Sequence, residues 1–206
     1  PASRFWPHIQ AKKPEPVGTL MGIRAFHNCD GKVLDAANFL KVRVSGLFEV
    51  DFWDRPKKSG RRAHIRKEVF PNGSTTAGLN SILSVYFNSG TQLTTWYLGL
   101  INNTPAPTLA AADTIASHSG WSESTSYSES VRQTWTPGAP ASASITNPTV
   151  ATFTANAAIT IYGLFLVSNS TKGGTTGTMW AHGAFGSTQA LISGQTLTGK
   201  YTLTLG

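Results

Sequence analysis

The chain has 206 residues, of which 40% are hydrophobic and only 13% are charged, against about 25% charged residues in an average soluble protein. This composition suits one β domain with an extension or two small domains, and it excludes a large multidomain enzyme and a disordered chain. A single cysteine excludes an intramolecular disulfide, and no apolar run is long enough to span a bilayer, so we expect no contact with a membrane.

The net charge of +7 is unevenly distributed along the chain. All of it falls in residues 1–70, while residues 71–206 carry equal numbers of acidic and basic side chains. Basic residues spread evenly over the whole surface would indicate solubility alone. A segregated charge predicts that the first third of the chain contacts something acidic.

Residues 1–38 are predicted to form an extended arm and a turn. Four prolines within the first sixteen residues exclude a helix or a central strand there. Phe5 and Trp6 are large apolar side chains on this arm, so we expect them to anchor on a neighbouring surface; packing back on their own domain is the alternative. The arm has no apolar segment typical of a signal peptide, which predicts synthesis in the cytoplasm without export.

Residues 39–70 are predicted to form a basic β-hairpin or loop region. The alternation of FLKVRVSGLFEVDFW, residues 39–53, predicts a half-buried strand with a bend or bulge at Gly46. The run RPKKSGRRAHIRK, residues 55–67, contains no acid and predicts a loop or an edge hairpin.

We assign docking on a partner to Phe5 and Trp6 of the arm and to cations of the basic run at residues 55–67. The candidate docking residues are Phe5, Trp6, Lys57, Lys58, Arg61, Arg62, Arg66 and Lys67. An acidic protein surface is the favoured partner. Nucleic acid is the alternative, because lysine and arginine also bind phosphates. The nearby Phe48, Phe52 and Trp53 have rings that could stack on bases, but Phe48 and Phe52 lie on the apolar strand face, which predicts that these two are core residues.

Residues 71–206 are predicted to form a β-sandwich domain with one helix near residues 76–89. Thr75 or Thr76 is suited to cap the helix. Its apolar positions follow the spacing of a single buried stripe. They are Leu79, Ile82, Leu83 and Phe87.

Beyond residue 93 the sequence reads as short strands separated by turns. The predicted strands are 95–101, 127–135, 150–155, 159–167, 177–185, 190–193 and 197–205. The strand at 159–167 is apolar on both faces, which predicts a central position in a sheet. In the strand at 127–135 the larger apolar side chains alternate with polar ones, so we expect the two sets on opposite faces: Tyr127, Val131 and Trp135 against Ser128, Ser130, Arg132 and Thr134. The fold class is therefore mainly β: a β-sandwich or jelly-roll-like domain with one short helix and an extended N-terminal arm.

Candidate catalytic and metal-binding residues are few. His27 and Cys29 are too few for a structural zinc site, which requires four ligands. Asp113, His118 and Ser119 supply the residue types of a hydrolytic triad, but the nucleophile-elbow sequence is missing. Glu123 and Glu129 are the candidate carboxylate pair for a glycosidase. Each set has a simpler structural interpretation, so we assign no catalytic, cofactor or metal site and expect a protein that is not an enzyme.

Five segments of the C-terminal two thirds resemble a group of tailed-bacteriophage proteins. They are AGLNSILSVYFNSGTQLTTWYLGLINN, LAAADTIASHSGWSE, YSESVRQTW, TIYGLFLVSNSTKGGTTGTMWAHGAF and GQTLTGKYTLTL, in this order between residues 73 and 205. The resemblance implies a virion structural protein that is assembled in the host cytoplasm and has no catalytic function.

The leading interpretation is a capsid decoration or cement protein. It would bind the major capsid protein, or other virion proteins, through the arm and the basic loop, and it would self-associate as a dimer or trimer. One alternative is a tail adaptor, baseplate or fibre-attachment component. Another is a receptor or carbohydrate-binding module that stacks sugars on exposed Trp121, Trp135 or Trp180.

Overall fold

The computed structural model describes residues 43–103 and 106–206, together with the backbone of residues 26–27 and 33–34. The chain divides between Lys41 and Val42 into two units. In the first, strands β1 (Phe26–His27) and β2 (Val33–Leu34) pair antiparallel. The predicted arm with Phe5 and Trp6, and the side chains of His27 and Cys29, lie outside the described residues.

The second unit is a β-sandwich of two antiparallel sheets with one helix, which confirms the predicted fold class. Its first elements are β3 (Val44–Trp53), β4 (His64–Pro71), β5 (Gly73–Ser74), α1 (Thr76–Phe87), β6 (Trp96–Asn102) and β7 (Glu123–Ser124). They are followed by β8 (Gln133–Trp135), β9 (Ser144–Thr146), β10 (Ala151–Thr154), β11 (Ile159–Val167), β12 (Met179–Leu191) and β13 (Thr196–Leu205).

The two sheets draw on strands from both ends of the unit. The five-stranded sheet has the order β10–β13–β3–β4, and β9 also pairs with β13. The six-stranded sheet has the order β5–β12–β11–β6–β7, and β8 also pairs with β6. The apolar 159–167 run forms β11, which pairs with β6 on one side and β12 on the other, so its predicted central position is confirmed.

The core lies between the sheets and follows from the alternation of β3 and β13. Phe48, Phe52, Leu197 and Tyr201 are fully buried there. The bulge predicted at Gly46 is wrong, because the pairing of β3 with β13 continues through that residue. Gly46 is instead a close-approach position: a Cβ there would lie 2.3 Å from the hydroxyl oxygen of Tyr201.

The predicted strand at 127–135 is wrong over most of its length, since only Gln133–Trp135 forms a strand. The predicted alternation is wrong at two positions, since the Arg132 side chain is fully buried and Val131 is exposed, whereas Tyr127 and Trp135 are buried. The reason is that Arg132 finds a complete set of buried partners. Its guanidinium makes two bonds with the Glu123 carboxylate, at 3.0 and 2.7 Å, and donates to the carbonyls of Asn169 and Gly174.

Helix α1 begins as predicted, since the Thr75 hydroxyl accepts the Gly78 N–H at 3.0 Å as an N-cap. The predicted buried stripe is wrong. Leu79 is 37%, Leu83 55% and Phe87 82% exposed, and of the predicted stripe only Ile82 is partly buried. The helix contacts the sandwich through a different strip, in which Gly78 lies against the backbone of Trp180 on β12.

Candidate functional site

The turn between β3 and β4 carries exposed cations at one end of the five-stranded sheet. We define the basic tip as Arg55, Lys57, Lys58 and Arg61, all of which are exposed. Backbone bonds order the turn, with Asp54 N–H donating to the Ala63 carbonyl and Lys57 N–H to the Arg61 carbonyl. Gly60 takes the left-handed φ of +75° that lets the chain reverse.

The one acid beside the basic tip is already engaged. Asp54 accepts the backbone N–H of Arg55 at 2.7 Å and the side-chain amide of Gln195 at 3.3 Å. These bonds, with smaller contributions from the charges of Arg55 and Lys57, lower the pKa of Asp54 below its ordinary value. Within the described residues, Lys57, Lys58 and Arg61 have no carboxylate within ion-pair distance. The tip therefore presents unneutralised positive charge to solvent.

The other three predicted docking cations contact the protein itself. Arg62 donates to the carbonyls of Asp54 and Gly194, at 3.1 and 2.8 Å. The Arg66 guanidinium lies 4.0 Å from the ring centre of Phe52. Lys67 pairs with Glu49 at 2.6 Å, and this bond raises the pKa of Lys67. The structure thus separates the candidate cations into a group at the tip without ion-pair partners and a group with partners, which comprises Arg62 just before β4 and Arg66 and Lys67 on β4.

The aromatic residues next to the basic tip are not platforms for bases. Phe48 and Phe52 are fully buried in the core, as the strand alternation predicts. Trp53 is half-buried; its indole N–H donates to the Thr198 hydroxyl at 3.1 Å, and its ring meets the edge of His64. The tip is therefore a cluster of charges without exposed stacking rings, which favours an acidic protein surface over single-stranded nucleic acid.

A second surface feature, absent from the sequence predictions, is an open groove of about 550 Å³ beneath α1. We call it the apolar groove. Its thirteen lining residues include no charged side chain. They are Ser81, Ile82, Val85, Tyr86, Gln92, Leu93, Trp96, Trp135, Leu166, Trp180, Tyr201, Leu203 and Leu205.

Two of the tryptophans that line the groove already have their indole N–H groups bonded to the protein. The indole N–H of Trp135 donates to the Tyr201 carbonyl at 3.0 Å, and that of Trp180 donates to the Tyr201 hydroxyl at 2.9 Å. Both rings therefore offer only carbon surface. The lining comes from elements far apart in sequence, so local patterns did not reveal the groove; the one available signal was that α1 contains no charged residue.

The residues that suggested a hydrolytic triad are not arranged as one. Asp113 accepts the Trp121 indole N–H at 2.9 Å and lies 3.5 Å from His182 rather than beside His118. His118 bonds to the Trp121 carbonyl at 3.0 Å and stacks on its ring, while Ser119 is exposed. Asp113 and His118 thus hold Trp121 in the core.

The two candidate glycosidase carboxylates also have structural partners. Glu123 binds Arg132 and accepts the Gly173 N–H at 2.9 Å. Glu129 accepts the Thr154 N–H through both oxygens, at 3.0 and 3.1 Å. Across residues 43–103 and 106–206, no three His, Cys, Asp or Glu side chains cluster as metal ligands.

The tryptophans proposed to stack on sugars are buried. Trp121, Trp135 and Trp180 are 4%, 6% and 4% exposed. A second cavity, of about 500 Å³, is lined by polar residues such as Ser126 and Thr160 and has no aromatic lining residue.

The one helix of the described residues, α1, is too short to cross a membrane.

Models of known protein families give no match to this sequence, and curated proteins give none either.

Proposed function

We propose that this protein is a structural, non-enzymatic component of a tailed-bacteriophage virion, a capsid decoration protein that binds the major capsid protein. The observation that carries the proposal is the basic tip, whose exposed cations lie at one end of the sandwich and have no carboxylate partner among the residues that the structure describes. The sequence resemblance over residues 73–205 supports the virion assignment.

The basic tip suits protein docking for an electrostatic reason. Exposed charges of one sign attract an oppositely charged surface and increase the rate of productive encounter. Two antiparallel strands fix the tip relative to the sandwich, because β3 and β4 pair from Leu47–Pro71 to Trp53–His64. Little conformational freedom is lost when such a preordered turn binds.

The test is co-sedimentation of the purified protein with phage capsids. The variant Lys57→Gln/Lys58→Gln removes two exposed tip charges. The matched control Arg43→Gln/Lys200→Gln also removes two positive charges, one just before β3 and one on β13 of the same sheet, away from the tip and at residues outside the docking set. We expect the tip variant to lose capsid binding at moderate salt and the control to retain it. At 0.1 M salt an exposed charge acts over only about 10 Å, so charges away from the tip contribute little to docking there.

Further arms of this experiment separate the alternatives. Equal loss of binding in both variants would assign the effect to net charge and contradict a role for the tip. Binding of the wild type to DNA but not to DNA-free capsids would contradict protein docking. Copy number decides the position on the particle: hundreds of copies by gel densitometry support a capsid protein, whereas a low multiple of three or six supports a tail component.

A further inference from the structure

Helix α1 has a wider apolar surface than its own domain covers. The helix residues that meet the sandwich and groove include Gly78, whose backbone lies close to Trp180, and the side chains of Ile82 and Val85. Beside them lies a second apolar stripe, spaced by four, seven and eight residues along the helix. It comprises Leu79, Leu83, Tyr86 and Phe87, which are 37%, 55%, 77% and 82% exposed.

We call this stripe the apolar ridge. The apolar sector of α1 spans roughly 200° around the helix axis, about twice the width that a helix packed on one surface requires. Monomeric proteins rarely expose contiguous apolar surface of this kind without a partner. The ridge and the groove share Tyr86, so they form one continuous surface.

We propose that the ridge and groove form the interface with a second copy of this chain, with the ridge of each copy seated in the groove of the other. The same helix supplies both a protruding element and a wall of the receiving groove. Such a surface is self-complementary, as an interface around a twofold axis requires. This inference deepens the proposed function by assigning its self-association to particular residues.

The charge distribution favours a second copy as the occupant. Two copies with the same net charge repel each other, so they approach most readily through an uncharged surface. Neither α1 nor the thirteen groove residues carry a charge. The basic tip lies at the other end of β3: Leu205 of the groove pairs with Val44, whereas Trp53 borders the tip.

The ten residues of β3 separate the tip from Leu205, at the far end of the groove, by about 30 Å. Joining two copies through their grooves therefore holds the two basic tips at the outer ends of the dimer. Each tip remains free to bind an acidic partner, and a dimer with two tips binds a repeating surface with avidity.

Sedimentation equilibrium of the full chain over a range of concentrations tests the inference. We expect wild type to exceed the monomer mass of 22.0 kDa. Leu83→Glu on the ridge and Leu205→Glu at the groove rim place charge in the interface from two different elements, and each is expected to raise the dissociation constant by more than about tenfold. Val131→Glu and Ile192→Glu, at exposed loop positions, are the matched controls.

Circular dichroism establishes that each variant is folded. A wild type that stays monomeric, or ridge and rim variants that associate as strongly as the controls, would overturn the inference. A monomer that binds the dye ANS in a manner abolished by Leu83→Glu would also overturn it, and would assign the groove to a different apolar partner. A monomeric wild type that still sediments with capsids would leave the proposed function intact.

Discussion

The indole N–H of Trp180 donates to the hydroxyl oxygen of Tyr201 at 2.9 Å, which joins the two sheets of the sandwich beneath the apolar groove. Trp180 belongs to β12 of the six-stranded sheet, and Tyr201 belongs to β13 of the five-stranded sheet. Both side chains are buried. Burial also raises the pKa of Tyr201, so its hydroxyl stays protonated well above neutral pH.

Removing this hydroxyl is expected to destabilise the fold. Tyr201→Phe leaves the Trp180 N–H buried without an acceptor, which costs about 1–3 kcal/mol. The matched control is Tyr86→Phe, since Tyr86 is 77% exposed and loses no buried bond. Urea unfolding followed by tryptophan fluorescence gives the free energy of unfolding. Equal stabilities for the two variants would show that the bond between the sheets contributes nothing.

Tyr127 provides the opposite case. Its hydroxyl is buried, and no hydrogen-bond partner for it lies in the described part of the chain. Tyr127→Phe therefore removes an unsatisfied polar group, and we expect unfolding free energy at pH 7 to be unchanged or higher by up to about 1 kcal/mol. A loss comparable to that of Tyr201→Phe would mean that the hydroxyl is bonded after all.

The raised pKa of Tyr127 predicts that the stability of the fold falls at alkaline pH. Burial, assisted by the Glu123 charge, raises the pKa of Tyr127 above the value of about 10 in the unfolded chain. The folded state then holds its proton more tightly, so stability is complete below about pH 10 and falls as the pH rises further. We expect melting temperature to fall less steeply above pH 10 in Tyr127→Phe than in wild type.

Arg132 and Glu123 form a buried ion pair, with side chains 0% and 6% exposed. Arg132→Met leaves the Glu123 carboxylate buried without its cation, and the expected cost is about 3–5 kcal/mol. Adding Glu123→Gln removes the uncompensated charge and is expected to recover part of this loss. The control is Lys67→Met, which breaks the exposed pair with Glu49 and is expected to change stability little, because solvent screens that pair. Chemical denaturation of the four proteins checks this order.

The sequence predicts elements whose environment is uniform along the strand. The apolar run of β11 and the alternating pattern of β13 each predict a strand directly. Most residues of β11 are buried in the core, and buried and less buried residues alternate along much of β13. Around Arg132 this logic fails. Charge alone predicts an exposed side chain, and only the carboxylate of Glu123 and the carbonyls of the 169–174 loop make the burial of Arg132 favourable.

The candidate surfaces divide in the same way. The exposed cations at the basic tip can be predicted from the sequence, because Lys57, Lys58 and Arg61 lie close together in a short turn. Arg66 is also a cation of the same run, but it pairs in register with Phe52 of β3, and its guanidinium therefore lies against the Phe52 ring rather than in solvent. The groove is assembled by tertiary structure from residues between 81 and 205, and helical periodicity cannot tell which apolar side chains the domain covers.

Gly78 tests how α1 is held against the sandwich. Alanine is favoured over glycine in a helix by about 1 kcal/mol, so Gly78→Ala should stabilise an isolated helix. Here the added Cβ would lie 2.6 Å from the Trp180 carbonyl oxygen and 2.9 Å from its Cα. Because neither backbone atom can move without disturbing β12, we expect Gly78→Ala to lower the free energy of unfolding by about 1–3 kcal/mol.

The control for this substitution is Asn80→Ala, which lies on the exposed side of the same helix. It gains helix propensity without a new contact, so its stability should match or exceed that of wild type. Thermal unfolding by circular dichroism compares the two variants. If Gly78→Ala were as stable as Asn80→Ala, the close approach of α1 to β12 would be wrong, and the groove walls formed by Ile82 and Val85 would be displaced with it.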